Sequence, residues 1–189
     1  MIKRARLFVL LGIGLLFGLS SASWAQAKGS KLLGLPFGVP TTLEDCPMLY
    51  TQATAPCWLG PMQKNPQDGK KGGPVYLPNR EALPEWVDGA EVRAMMDASS
   101  VIYAIQVIVD KPSRKDVSRS ISARYGQPVI SSPLSQGGHL TEWRSSEGKV
   151  TMMCWTGCNV MFLTAAAARE SDAESEKMEA RRKARPVAP

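Results

Sequence analysis

Residues 150–163 read VTMMCWTGCNVMFL, and they hold two of the chain's four cysteines, Cys154 and Cys158. Folded as a hairpin with Trp155-Thr156-Gly157 as its loop, the stretch sets Cys154 opposite Cys158, Met152 opposite Val160 and Val150 opposite Phe162. Side chains alternate along a strand, so these six residues share one face of a sheet. That face is uniformly apolar. A slip of one residue would turn all of it to water, so the register supports itself. A three-residue hairpin loop wants a left-handed residue near its end, and Gly157 stands there. Facing residues can bring their β-carbons to about 3.8 Å, the span of a disulfide. The stretch therefore predicts two strands stapled at their tip.

Two other readings of the cysteine pair compete with the staple. Redox chemistry expects Cys-x-x-Cys at a helix start, where the dipole lowers a thiol pKa. Here the spacing is one residue longer and the context is strand, turn, strand. Zinc held by some of the cysteines with the single histidine, His139, would require reduced thiols, and the pair spacing is unusual for it. The N-terminus argues against reduced thiols. Lys3, Arg4 and Arg6 precede an uncharged apolar run over residues 7–19, and Ala25-Gln26-Ala27 follows. That is the layout of a secretory signal peptide over residues 1–27, cleaved before Lys28. The run is too short to span a bilayer, which takes about 20 residues. No cysteine near the cleavage point could accept a lipid anchor, and no later segment is apolar enough to cross a membrane. The expected location is the periplasm or the secreted fraction.

An oxidising compartment and four cysteines predict two bridges. Of the three possible connectivities, Cys46–Cys57 with Cys154–Cys158 is the local one. On the loop-entropy model the longer loop gains about 3 kcal/mol and the shorter about 2 kcal/mol.

Without its first 27 residues the chain keeps 20 basic residues against 17 acidic ones. So mild an excess does not point to nucleic acid, where basic charge is dense and clustered.

Residues 28–90 read as the loop-rich part of a single domain. Thr41 with Glu44 forms a possible capping box. Residues 65–74, NPQDGKKGGP, carry turn chemistry and predict an exposed loop, and PVYLP reads as a sheet-edge strand between prolines. An α+β core is expected over residues 91–165. Two strands flank Asp97-Ala98-Ser99-Ser100. A helix over 113–125 starts at the N-cap candidate Ser113, buries Val117, Ile121 and Tyr125 at a spacing of four, and stops at Gly126 and Pro128. A hairpin turning at residues 145–148 and the stretch quoted above then make a three-stranded meander. Residues 166–189 read as a charged helical or disordered tail, expected to be dispensable for folding beyond Arg169. The predicted class is α+β: an antiparallel sheet of hairpin, helix and meander, with one main helix on one face and two disulfides.

Chemistry-bearing motifs are few. His139 could act as a general base with Ser135 or Glu142 near it in sequence. Neither Gly-x-Ser-x-Gly nor His-Glu-x-x-His occurs, and no phosphate-cradling glycine-rich turn follows a strand. No cofactor is expected. Arg114, Lys115 and Arg119 on the helix could meet an anionic partner, such as a cell-wall polymer, a lipid headgroup or an acidic protein surface. Trp155 at the hairpin tip is a candidate contact residue.

VSRSISARYGQP, residues 117–128, followed by Trp143 and a strand, resembles small secreted bacterial βαββ proteins. These include the β-lactamase inhibitor proteins and the small outer-membrane assembly lipoproteins. The likeness covers residues 113–163 and rests on Tyr125, Gly126, Pro128 and Trp143. The lipid-anchor cysteine of the assembly lipoproteins is absent here. The resemblance implies non-enzymatic binding. The expected function is thus a binding or accessory module, its partner an envelope protein or an anionic wall component. A small envelope hydrolase using His139 and a structural envelope protein are the alternatives.

Overall fold

The computed structural model describes residues 30–184. The signal-peptide reading lies outside that range, as does the end of the tail. Eleven strands and two α-helices follow one another. A small hairpin, β1 (Ser30–Leu32) with β2 (Leu35–Phe37), stands apart from the main sheet. The main sheet takes β3 (Cys57–Trp58), β4 (Gln63–Lys64), β5 (Lys71–Tyr76), β6 (Glu91–Met96) and β7 (Ile102–Val109). After helix α1 (Arg114–Tyr125) it adds β8 (Ile130–Pro133), β9 (His139–Ser145), β10 (Gly148–Cys154) and β11 (Cys158–Thr164). Helix α2 (Ala165–Ala184) closes the description. The nine strands are antiparallel in the order β3-β5-β6-β7-β11-β10-β9-β8, with β4 beside β3 on β5.

The predicted register holds through the quoted stretch. Val150 faces Phe162, Met152 faces Val160, and Cys154 faces Cys158. Both disulfides form, Cys46–Cys57 and Cys154–Cys158. They fit a chain that matures outside the reducing cytoplasm. No helix among the described residues is long and apolar enough to cross a membrane.

One sheet face carries the core. Ile105, Val107, Val150, Met152 and Val160 are all fully buried there. Helix α1 lies on this face through its predicted stripe of Val117, Ile121 and Tyr125. The Ser113 side chain caps it by accepting from the Asp116 N–H. Trp143 Nε1 donates to Ser122 Oγ at 2.9 Å, which fixes the helix along β9. The Tyr125 ring packs on Phe162, and Leu32, Leu35 and Phe37 of the small hairpin join the same core.

Several sequence expectations are corrected. The segment PVYLP is not a sheet edge. Strand β5 has β6 on one side and β3 and β4 on the other. Between the β3 ladder at Val75 and Tyr76 and the β4 ladder at Lys71 and Gly72, Pro74 still accepts from the Leu59 N–H, so only its missing donor is lost. The exposed loop is shorter than expected, since Lys71 to Gly73 already belong to β5. Gly157 is not left-handed. It is needed for close approach, because a β-carbon there would lie 2.7 Å from the Val109 carbonyl oxygen.

The tail is helical, one of its two expected forms, and its first turns meet the sheet. Helix α2 lies on the sheet face opposite α1, and Ala167 and Ala168 are buried. Beyond Arg169, Asp172 accepts from Arg144 Nη1 at 2.5 Å and from Lys149 Nζ at 2.7 Å. Arg144 and Lys149 face each other across β9 and β10. Lys149 is nearly buried, so Asp172 supplies its counter-charge. From Ala173 onward the helix is almost wholly exposed, as a solvated tail would be.

Hydrogen bonds from Arg144 and then Lys149 hold the Asp172 carboxyl below the usual carboxylate range. A depressed folded pKa stabilises above the unfolded value, about 3.9, and that contribution is lost as pH falls below it. Asp172→Asn should therefore cost about 1–2 kcal/mol at pH 7, or a few degrees of melting temperature. It should also remove part of the stability loss between about pH 4 and pH 2. Equal acid melting curves for variant and parent would show that the tail is not held by this carboxylate.

Candidate functional site

The alternation of β9 decides what meets α1. His139, Thr141 and Trp143 point to the α1 face, while Glu142 points away. Glu142 accepts from Arg144 Nε at 2.6 Å and has no part in the site. The expected pairing of His139 with Ser135 or Glu142 is thus replaced by another. Ser131 on β8 faces Thr141, one diagonal step from His139. Its Oγ lies 3.0 Å from His139 Nε2. The sequence hides this contact because β8 is short and polar and carries no strand period.

Between this strip and α1 runs an open groove of about 400 Å³. Arg114, Lys115, Ser118 and Arg119 line its helix wall, Ser131, His139 and Thr141 its sheet wall, and Met152 its floor. The three cations singled out from sequence are thus brought together with the single histidine. Among the described residues, no carboxylate lines the groove. Arg119 Nη1 does reach Asp116 at 2.9 Å, but both side chains are exposed, so that pair holds the guanidinium only weakly. Neither Arg114 nor Lys115 has a carboxylate within salt-bridge distance among the described residues. Both sit in the first helical turn, where the macrodipole disfavours cations by about 0.3–1 kcal/mol each. Local helix stability would prefer acidic residues there.

Trp155 does not line this groove; it extends the β9–β10 register one step past Cys154 and His139, so its side chain lies on the opposite sheet face. Its indole lies across Gly138, immediately before His139, and a β-carbon on Gly138 would collide with it. The side chain remains 54% exposed. It is therefore a half-seated aromatic, neither free at the tip nor folded away over the disulfide.

No family model, curated protein or solved structure matches the chain. The site must be judged by its own chemistry.

Two other features were missed from sequence. A cleft of about 240 Å³ opens between the small hairpin and α1, floored by Ile121 and Phe162. It is more apolar, and Arg124 at its rim is already committed to Glu147 and to the Lys31 carbonyl. It offers a ligand little free charge. The Cys46–Cys57 loop displays Met48, fully exposed, with Leu49 and Tyr50 beside it. Tyr50 rests edge-on against Tyr76, so this apolar tip is braced. Sequence periodicity could not reveal it, because an irregular loop has none.

Proposed function

We propose that this chain is a periplasmic or secreted binding module whose basic groove takes an anionic partner from the cell envelope. The observation that carries the reading is the placement of Arg114 and Lys115. Among the described residues they have no carboxylate partner and line a groove without one, and they oppose the helix dipole. Surface cations that work against local stability are best explained by a partner that supplies the missing charge. The Cys154–Cys158 staple closes the hairpin whose strand β10 supplies the groove floor, and a rigid support lowers the ordering cost of contact. The likeness of residues 113–163 to secreted βαββ binding proteins favours the same class.

The test is titration of the disulfide-bonded protein with heparin as a generic polyanion, against neutral dextran. Heparin should bind through the groove. The double variant Arg114→Glu, Lys115→Glu should weaken binding at least about thirtyfold, the equivalent of about 2 kcal/mol. Trp155→Ala, on the opposite sheet face, should leave heparin binding within about twofold. Heparin binding that ignores the double variant would move the contact surface elsewhere and defeat the reading.

A second reading, a small hydrolase, is favoured by the 3.0 Å contact of Ser131 with His139. Ser131 would be the nucleophile and His139 its base. Among the described residues no carboxylate bonds to the imidazole to orient it, which is why binding is preferred. Covalent labelling of Ser131 by a fluorophosphonate would reverse that preference.

A further inference from the structure

We infer that the group held in the groove is a phosphate, a refinement that rests on the binding reading above. The donors stand on two walls. The helix wall offers the Arg114 guanidinium and the Lys115 ammonium, and the sheet wall offers the Ser131–His139 pair. A carboxylate presents its acceptor sites in one plane, as Asp172 does to Arg144 and Lys149. A phosphate ester directs its free oxygens tetrahedrally, so one group can meet donors on both walls. Arg supplies the bidentate fork and Lys the point charge, the usual division of labour around phosphate.

The Ser131–His139 pair has a donor to spare in either tautomer. If Ser131 donates to Nε2, the ring proton is on Nδ1 and that N–H is uncommitted. If Nε2 carries the proton and donates to Ser131 Oγ, the serine O–H is uncommitted. Either tautomer thus leaves one donor for an anion, beside the charges of Arg114 and Lys115. Arg114, Lys115 and Ser131 are all exposed, so the groove can admit a phosphate carried on something larger. A lipid headgroup and a soluble or polymeric phosphate present the same chemistry to it.

The experiment uses the isotope-labelled, disulfide-bonded protein followed by NMR. Pyrophosphate is the phosphate probe and polygalacturonate the carboxylate probe. Vesicles of phosphatidylglycerol and of phosphatidylcholine separate the sources. The expected result is saturable shifts at Ser131, at His139 and at the amides of Arg114 and Lys115 with pyrophosphate. Arg114→Gln and Lys115→Gln should each weaken it about tenfold. Both positions are exposed, so these variants should keep the parent's dispersion and melting temperature. Phosphatidylglycerol vesicles that bind and are displaced by pyrophosphate would assign the phosphate to a headgroup. Pyrophosphate binding without vesicle binding would assign it to a soluble or polymeric source. Either outcome supports the inference. Polygalacturonate bound at the groove with no response to pyrophosphate would overturn the phosphate inference and leave the anion-binding reading standing. Shifts that survive both substitutions would also overturn it, by placing the phosphate elsewhere. No response to heparin, polygalacturonate or pyrophosphate would remove both readings together.

Discussion

Ile121→Asp should lower the stability of the folded chain by at least about 4 kcal/mol, while Arg119→Asp, two residues away, should change it by less than about 1 kcal/mol. Ile121 is 3% exposed and sits between Val117 and Tyr125 in the stripe that α1 buries. Losing the aliphatic side chain alone costs about 2–5 kcal/mol by transfer and cavity terms. The carboxylate adds an unpaired charge beneath the helix, and it can escape only by protonation or by lifting α1 from the sheet. Total stabilities of single domains are about 5–15 kcal/mol, so a large share would be lost. Arg119 is exposed and makes one surface ion pair with Asp116. Denaturant midpoints followed by circular dichroism decide the matter. Similar midpoints for the two variants would mean that the helix presents a different face to the sheet.

Trp143→Ala should be comparably severe, at about 3–5 kcal/mol. The residue is fully buried opposite Val150, and no other aromatic ring of that size lies along β9. Its loss leaves a cavity between α1 and the sheet, and the surrounding strands are paired on both sides and can relax little. The indole hydrogen bond to Ser122 Oγ is a smaller part of the cost. Ser122→Ala should isolate it at about 1 kcal/mol. In a double-mutant cycle, Trp143→Phe and Ser122→Ala should show a coupling of similar size. A coupling near zero would show that the contact does not hold the helix in place.

Ile121 also lies where the sequence was most legible. The α1 stripe and the residues 150–163 each repeat a period over many residues, and the paired cysteines lock the second one. Such signals survive because every member buries the same face. The strands before residue 91 were harder to read. Strands β3 and β4 are two residues each, too short for any period, and exist only because β5 offers them a ladder. The anchoring of α2 was invisible for another reason. Asp172 meets Arg144 and Lys149, residues 28 and 23 positions away, and a distant ion pair leaves no local pattern. The site divided in the same way. Arg114, Lys115, Arg119, His139 and Trp155 could be named as isolated candidates. That four of them line one groove, with Ser131 as the histidine's partner, follows from strand pairing that the sequence does not spell out.

The margins of the large sheet have a consequence for solubility. A broad antiparallel sheet ordinarily risks recruiting another molecule's strand along its rim. Here one rim consists of β3 and β4, two residues each and separate from one another along β5. The other is β8, four residues that begin two positions after Pro128 and end at Pro133. Neither rim offers a long uninterrupted row of free amides and carbonyls. Sideways polymerisation is discouraged at both borders, so the chain can sustain a nine-stranded sheet at high local concentration without templating its own aggregation.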